Sequence, residues 1–417
     1  EMMNWINEFY LMHKDQRVLT FRMEKNEFDE VTFKEVKEEK GKDFIETPRP
    51  IGFKDIQLWL AGRQAPKHRA HIAELLRQCG CYNLDGYLRI THALTLNDTF
   101  WVKPTDSTLK WDQVSLYSNE FDETIARIAF EGGMYGKQFS STSPEFGTDG
   151  AYAKCWIRKG SDILLLKQGS DGARNTGLEP YSEYYSSQIS KQICEEYVEY
   201  DMEMYRGKLV SSCRLFTNEK VGFTATDRIV EKDIGVSGLL SYFTSIGSED
   251  AFRRMLVFDA LTINTDRHLG NFGVLVDNDT QKILKMAPVF DNNQSLLPYA
   301  EEQEFRDIDE YLKTRPTRIG IDFNQVAHQM LTPEIRADLN NLKGFSFQKH
   351  PRYNLPEERL KILEELIDKQ IYNILHDIRL YVPVEFPEVQ PPFQNAKVDA
   401  NNNEKKDIKT ADIEIEK

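Results

Sequence analysis

Cysteine is scarce in this chain, with five scattered through 417 residues. An odd, dispersed set argues against a disulfide framework and makes a reducing cytosol the expected setting. Long apolar runs are missing too. None approaches the ~18 residues that would span a bilayer, so no membrane partner is expected. The stretch "EMMNWINEFYLMHKDQR" lacks the basic start, long apolar middle and small-residue cleavage site of a secretion signal. Positive charge is in deficit, 53 Lys and Arg against 67 Asp and Glu, for a net charge of −14 and a pI near 5.2. Dedicated nucleic-acid binders are usually basic, so direct binding to DNA or RNA is not expected. There is no internal repeat. What is present, 40% apolar and 29% charged residues, suits a globular chain long enough for two or three domains.

The pattern changes along the chain. Residues 1–50 alternate apolar and charged positions, as in "RVLTFRMEK" and "FDEVTFKEV", which reads as half-exposed strands. "FKDIQLWLAGR" and "PKHRAHIAELLRQCG" then read as a helical pair, with Pro66 in the first turn of the second helix and Gly80 at its end. Strand signals return between 146 and 226 in "YAKCWIR", "SDILLLKQ", "SSCRLFTN" and "KVGFTATDRIV", interrupted by one helix over "YSEYYSSQISKQICEEYVEY". Beyond about 248 the chain is mainly helical. Thr332, Pro333 and Gly344 are start and stop signals for one helix. Leu360, Leu363, Leu366, Ile367, Ile371, Ile374 and Ile378 form the apolar face of another. The expected organisation is an N-terminal accessory unit at 1–85, a strand-rich unit at 86–226, a helical unit at 227–385 and a flexible tail at 386–417.

One stretch resists assignment to helix or strand. "LTINTDRHLGNFGVLVD" crowds an acid, a base, an imidazole and a carboxamide between two apolar runs. Downstream, "KILKMAPVFDN" ends another apolar run in Asp291, 25 residues after Asp266. A hairpin formed by "NFGVLV", the turn "DNDT" and "KILKM" brings Asn271 and Asp291 to the same end. Both offer hard oxygen ligands suited to Mg²⁺. Asp266, on the adjoining loop, can accept a proton from an attacking hydroxyl. In the strand-rich region, "SSTSPEFGTDGAYAKCW" is a turn in which Gly147 and Gly150 would let backbone N–H groups approach a phosphate. The strand "DILLLKQ" runs through its apolar residues to Lys167 near its end, and a charge there needs a partner. Glu183, 16 residues on and near the start of the next helix, supplies one. A strand Lys paired with a helix Glu is the phosphate-orienting pair of protein kinases.

"TDRHLGN" followed by "APVFDN" resembles the catalytic and metal-binding segments of HipA-type Ser/Thr kinases, including the cell-translocating kinase CtkA. The Asp-Arg-His-x-x-Asn order is also similar to phosphatidylinositol kinases. The resemblance spans roughly residues 90 to 380. It implies an α+β, bilobal protein-kinase-like fold, with a strand-rich N-lobe, a helical C-lobe and a small extra N-terminal unit. It implies ATP and Mg²⁺ as cofactors, with Asp266 catalytic, Asn271 and Asp291 holding the metal, and Lys167 contacting the phosphates. Protein Ser or Thr would be the acceptor. A separate DNA-binding antitoxin chain is an implied partner, since no helix-turn-helix is found here. Autophosphorylation is implied in the loop over the nucleotide, which offers Ser140, Ser141, Thr142 and Ser143. Two departures stand out: Asp291 is followed by Asn-Asn rather than Phe-Gly, and residues 141–150 are not a GxxxxGK[ST] loop.

Other readings of these residues are plainer. Lys167 is then a strand-end lysine reaching to solvent, and Glu183 a helix N-terminal acid. His268 orients its loop rather than shuttling protons. Arg267 has either an acidic neighbour or a phosphorylated loop as partner. His68, His71, Cys79 and Cys81 do not make a zinc site: on one helix His71 and Cys79 stand about 12 Å apart, while zinc holds its ligands at about 2.0–2.3 Å. At the level of function, the alternatives are a phosphatidylinositol-type lipid kinase and a catalytically silent nucleotide-binding module.

Overall fold

Alternating apolar and polar residues build the first sheet. In the computed structural model, which describes residues 7–25, 31–38, 53–65, 70–81, 84–133, 143–148, 151–172 and 176–380, β1 (Glu8–His13), β2 (Gln16–Lys25) and β3 (Val31–Glu38) pair antiparallel. Helices α1 (Phe53–Ala61), α2 (Ile72–Gln78) and α3 (Leu84–Thr91) follow, and then β4 (Phe100–Pro104) closes the sheet in the order β3-β2-β1-β4. Phe9, Leu11, Phe21 and Val102 meet Ile56, Leu75 and Leu88 of the helices in one buried core. After the short α4 (Trp111–Val114), α5 (Glu123–Glu131) adds Ile125 and Ile128 to that core. The sheet therefore crosses the boundary expected at residue 85, because β4 pairs with β1 along Phe9–His13. The helix expected over 67–79 is also shorter. It starts at Ile72, after His71 takes a left-handed backbone at φ +62°, and Pro66 lies outside the described residues.

The second sheet is the one that carries the site. It contains β5 (Lys154–Lys159), β6 (Asp162–Gln168), β7 (Tyr200–Tyr205) and β8 (Lys208–Arg214) in the order β5-β6-β8-β7, all antiparallel. α6 (Glu179–Ile193) joins β6 to β7 and packs on one face, while α5 covers the other through Ala126 and Phe130 against Cys155, Leu166 and Val210. The helix expected to run on to Tyr200 stops at Ile193. Past it, Val198, Tyr200 and Met202 are buried while Glu199 and Asp201 are exposed, a strand period of two rather than a helical one.

The remaining strand of that region goes elsewhere. β9 (Val221–Ala225), expected with the strand-rich part, pairs instead with the hairpin of β10 (Gly273–Asp277) and β11 (Ile283–Met286), in the order β11-β10-β9. At Gly273 a Cβ would collide with the Thr224 carbonyl, so the close strand approach there requires glycine. Around this small sheet lie α7 (Gly235–Ser245), α8 (Glu249–Thr262), α9 (Glu302–Arg306), α10 (Ile308–Lys313), α11 (Phe323–Gln329), α12 (Pro333–Leu342) and α13 (Glu357–Leu375). Thr332 caps α12, its hydroxyl accepting the Ile335 N–H at 3.2 Å, and Gly344 follows with φ +74°. The apolar seam of α13 is buried from Leu360 to Ile374, but Ile378 lies past the helix end and is 43% exposed. The largest core joins α6, α8, α11, α13 and the β10–β11 hairpin. No helix among the described residues is long and apolar enough to cross a membrane.

Candidate active site

The polar knot between the two apolar runs is a loop organised by Arg267. α8 ends as Ile263 takes a left-handed backbone at φ +52°, and Asn264 to Asn271 form the loop that leads into β10. Arg267 is almost completely buried, and its guanidinium donors are used in full. Nε bonds Asp259 Oδ2 at 3.0 Å and Nη2 bonds Asp259 Oδ1 at 3.0 Å. Nη2 also bonds Asn292 Oδ1 at 2.7 Å, and Nη1 bonds the carbonyls of Asn271 at 2.9 Å and Phe290 at 2.5 Å. The two alternatives for Arg267 thus resolve to an acidic neighbour, Asp259 on α8. One side chain thereby ties the helix, the loop and the segment at Asp291 together. Asn292 is part of this arrangement, which gives the Asn-Asn after Asp291 a structural use. Arg267→Met would leave Asp259 charged, buried and uncompensated. Breaking such a pair costs about 3–5 kcal/mol. Chemical denaturation should show a loss of that size, and a loss below about 1 kcal/mol would remove Arg267 from this role.

The knot sets the positions of three predicted site residues. Asp266 accepts from the Asn271 side-chain amide at 2.8 Å through its backbone carbonyl. With its NH₂ turned there, Asn271 directs its amide oxygen the other way. The Asp266 carboxylate is 38% exposed, with Arg318 Nη2 at 3.8 Å. Burial, together with the negative charge of Asp291, holds the Asp266 carboxyl above the ordinary aspartate range. His268 Nδ1 accepts the Gly270 N–H at 3.0 Å, a bond that shapes the loop. Asp291 follows the hairpin with φ +56°, rare for a residue with a side chain. Its N–H donates to the Tyr200 hydroxyl at 3.0 Å.

Lys167, Glu183 and Asp291 are brought together. Lys167 is buried near the end of β6, its Nζ paired with Glu183 Oε1 of α6 and with Asp291 Oδ1 at 2.7 Å. Ser211 of β8 bonds the other Glu183 oxygen. Burial works against charge at Asp291, but Lys167, and next Lys154, outweigh it and hold the carboxyl at about 2. Burial likewise opposes charge on Lys167, and its two carboxylate partners raise it. Glu183 sits in the second turn of α6 rather than opening the helix, and its contacts with Lys167 and Ser211 place it against the sheet.

Lys154 was missed by sequence reasoning. It pairs with Lys167 across β5 and β6, and Lys167 pairs with Ser211 across β6 and β8. Directly opposed residues share a face, so Lys154, Lys167 and Ser211 form one row turned towards α6 and Asp291. Lys154 is 5% exposed. Two lysines face to face are unfavourable unless negative charge balances them. The signal available in the sequence was "AYAKCW", a lysine at a strand start just after the glycine-bearing turn.

Gly147 is not brought to this group. It ends a 3-10 turn over Pro144–Gly147, and a Cβ there would press on Thr95 and on the carbonyls of Arg63 and Leu94. Its bareness serves close packing against the segments that follow α1 and α3. Gly150 lies outside the described residues, as do Ser140, Ser141 and Thr142. Ser143 is buried and caps the turn, accepting the Glu145 N–H at 3.3 Å. At the edge of the site, Tyr152 and Tyr299 share a hydrogen bond at 2.5 Å, Gln294 donates to both, and Tyr299 donates to Glu179 of α6 at 2.7 Å. Beside Asp291, Phe216, Phe223 and Phe290 cluster with ring centroids 5.4–5.7 Å apart, each half-buried.

The chain matches no protein-family profile, and no curated protein is detectably similar to it in sequence. Solved structures do resemble it. A chain in the complex of HipA, HipB and operator DNA of the Shewanella oneidensis MR-1 toxin–antitoxin system aligns with a TM-score of 0.50 at 12% identity, over 89% of this chain and 99% of that one. The Helicobacter pylori proinflammatory kinase CtkA aligns with a TM-score of 0.42 at 19% identity, over 57% of this chain and 93% of that one. The likeness to the HipA structure is one of fold, along nearly its whole length.

Proposed function

We propose that the chain is an ATP-dependent kinase that transfers the γ-phosphoryl group to a protein Ser or Thr hydroxyl. The observation that carries this reading is the meeting of Lys167, Glu183 and Asp291 beside the loop that holds Asp266 and Asn271. In such chemistry the protein mostly positions groups and neutralises charge. The half-buried Phe216, Phe223 and Phe290, packed edge-on and tilted, offer the adenine apolar contacts next to Asp291. Lys167, held by Glu183, and its neighbour Lys154 would contact the phosphates. The Asp291 carboxylate and the Asn271 amide oxygen are hard donors of the kind Mg²⁺ takes together with phosphate oxygens and water, and they would hold it. Mg²⁺ there would neutralise charge on the phosphates. Asp266 receives the proton of the acceptor hydroxyl as its oxygen bonds to the γ-phosphorus and the bond to the β-phosphate oxygen breaks. Residues 86–226 would form most of the nucleotide side and 227–385 the acceptor side. Self-modification at Ser140, Ser141 or Thr142, a separate DNA-binding antitoxin partner and action in the cytosol belong to the same reading.

Charge near the proposed site distinguishes the acceptor. In phosphatidylinositol kinases the segment after the metal-binding Asp is basic, to meet an anionic membrane surface. Here 292–312 carries Glu301, Glu302, Glu304, Asp307, Asp309 and Glu310 against Arg306 alone. Glu302, Glu310 and Asp309 are paired with Arg306, Lys313 and Lys369, and all three pairs are exposed and therefore weak. The segment would repel an anionic head group and favour a basic protein segment. Incubation with γ-labelled ATP should place label on protein Ser or Thr and none on phosphoinositide vesicles, with Asp266→Asn as the blank. Label in lipid at an equal or faster rate would favour the lipid kinase. No label on either, with intact ATP binding, would favour a silent nucleotide-binding module.

A further inference from the structure

Asp291 sits in a backbone conformation that needs support. A non-glycine residue at φ +56° is held there only where its surroundings over-determine it. The carboxylate is held by Lys167. On the backbone side, two contacts act. A short parallel bridge joins Tyr197 to Val289, with the Val198 N–H on the Val289 carbonyl at 2.8 Å and the Val289 N–H on the Glu196 carbonyl at 3.0 Å. It delivers Tyr200, two residues past Val198, to Asp291, whose N–H donates to the tyrosine hydroxyl at 3.0 Å. Tyr200 is 4% exposed, and its ring centroid lies 5.8 Å from Lys167 Nζ. The one side chain thus touches the two partners of the Lys167–Asp291 pair at once, from β7.

We infer that Tyr200 is a positioning residue for Asp291: its hydroxyl holds the Asp291 backbone, and with it the direction in which the carboxylate presents its metal-facing oxygen. The inference rests on the proposed role of Asp291 as a metal ligand. A buried N–H without its acceptor is costly, so in Tyr200→Phe the Asp291 backbone turns to find another partner and the carboxylate turns with it. The ring is retained, and so is the packing beneath Lys167. Orienting partners of a metal ligand typically contribute 10–100-fold in metal affinity.

The test measures the Mg²⁺ concentration needed for half-maximal ATP-induced thermal stabilisation. It uses the full chain as wild type, Tyr200→Phe, Asp291→Ala and the double variant. Tyr200→Phe should raise that concentration about 10–100-fold while the melting temperature without ligand stays near wild type. In the Asp291→Ala background, the tyrosine substitution should add nothing, because the effect passes through Asp291. An unchanged Mg²⁺ requirement in Tyr200→Phe would overturn the inference while leaving Asp291 as ligand. So would an equal loss in both backgrounds, which marks Tyr200 as structural only. A full Mg²⁺-dependent shift in Asp291→Ala would instead overturn the metal site itself.

Discussion

On the proposed reading Mg²⁺-ATP raises the melting temperature of the wild-type protein, and Asp291→Ala is expected to remove most of that rise. A ligand that binds only the folded state at a hundredfold excess over its dissociation constant adds about 2.7 kcal/mol. Asp291 is where the proposed nucleotide-side lysine and the proposed metal side meet, since its carboxylate touches Lys167 and its loop is pinned to Asn271 through Arg267. Lys167 keeps Glu183 as a partner in the variant, so the sheet and α6 stay joined. The ligand-free melting temperature should fall somewhat as Lys167 and Lys154 lose a counter-charge, and the loss that reports the metal site is read in the ligand-induced shift, measured from each variant's own ligand-free value. An unchanged shift would remove Asp291 from the metal site.

Asp266→Asn should leave ATP binding in place and reduce phosphoryl transfer by about 10²–10⁴-fold, the usual contribution of a general base. The amide matches the carboxylate in size, and the contacts that hold the loop run through the Asp266 backbone, which the substitution leaves alone. The carboxylate form is the one that accepts a proton. Burial and the nearby Asp291 raise the Asp266 carboxyl, so the acid limb of the wild-type rate profile should lie above the ordinary aspartate range, with activity rising as pH rises through it. Near-normal turnover in the variant would mean that another residue takes the proton.

The β10–β11 hairpin, the cap at Thr332 and the seam of α13 depend on neighbours a few residues apart, and all were readable. The strand at Tyr200 was readable in principle through the alternation of Val198, Tyr200 and Met202, but a preceding helix without a glycine or proline stop concealed the change of period. Arg267 announced a need for a partner without naming it, because Asp259 lies eight residues back across the end of a helix.

Residue types and short-range spacing alone determined that this chain would hold a carboxylate, a carboxamide and a second carboxylate at one end of a hairpin, with a strand lysine and a helix glutamate elsewhere. Their chemistry is local, and period and capping act over one or two turns. Only the tertiary structure decided that β4 completes the first sheet, that β9 leaves its neighbours for β10, that Lys154 stands beside Lys167 and that Gly147 faces Thr95. Those outcomes depend on which distant edges and faces bury one another best, a competition among segments up to about a hundred residues apart that no local pattern encodes.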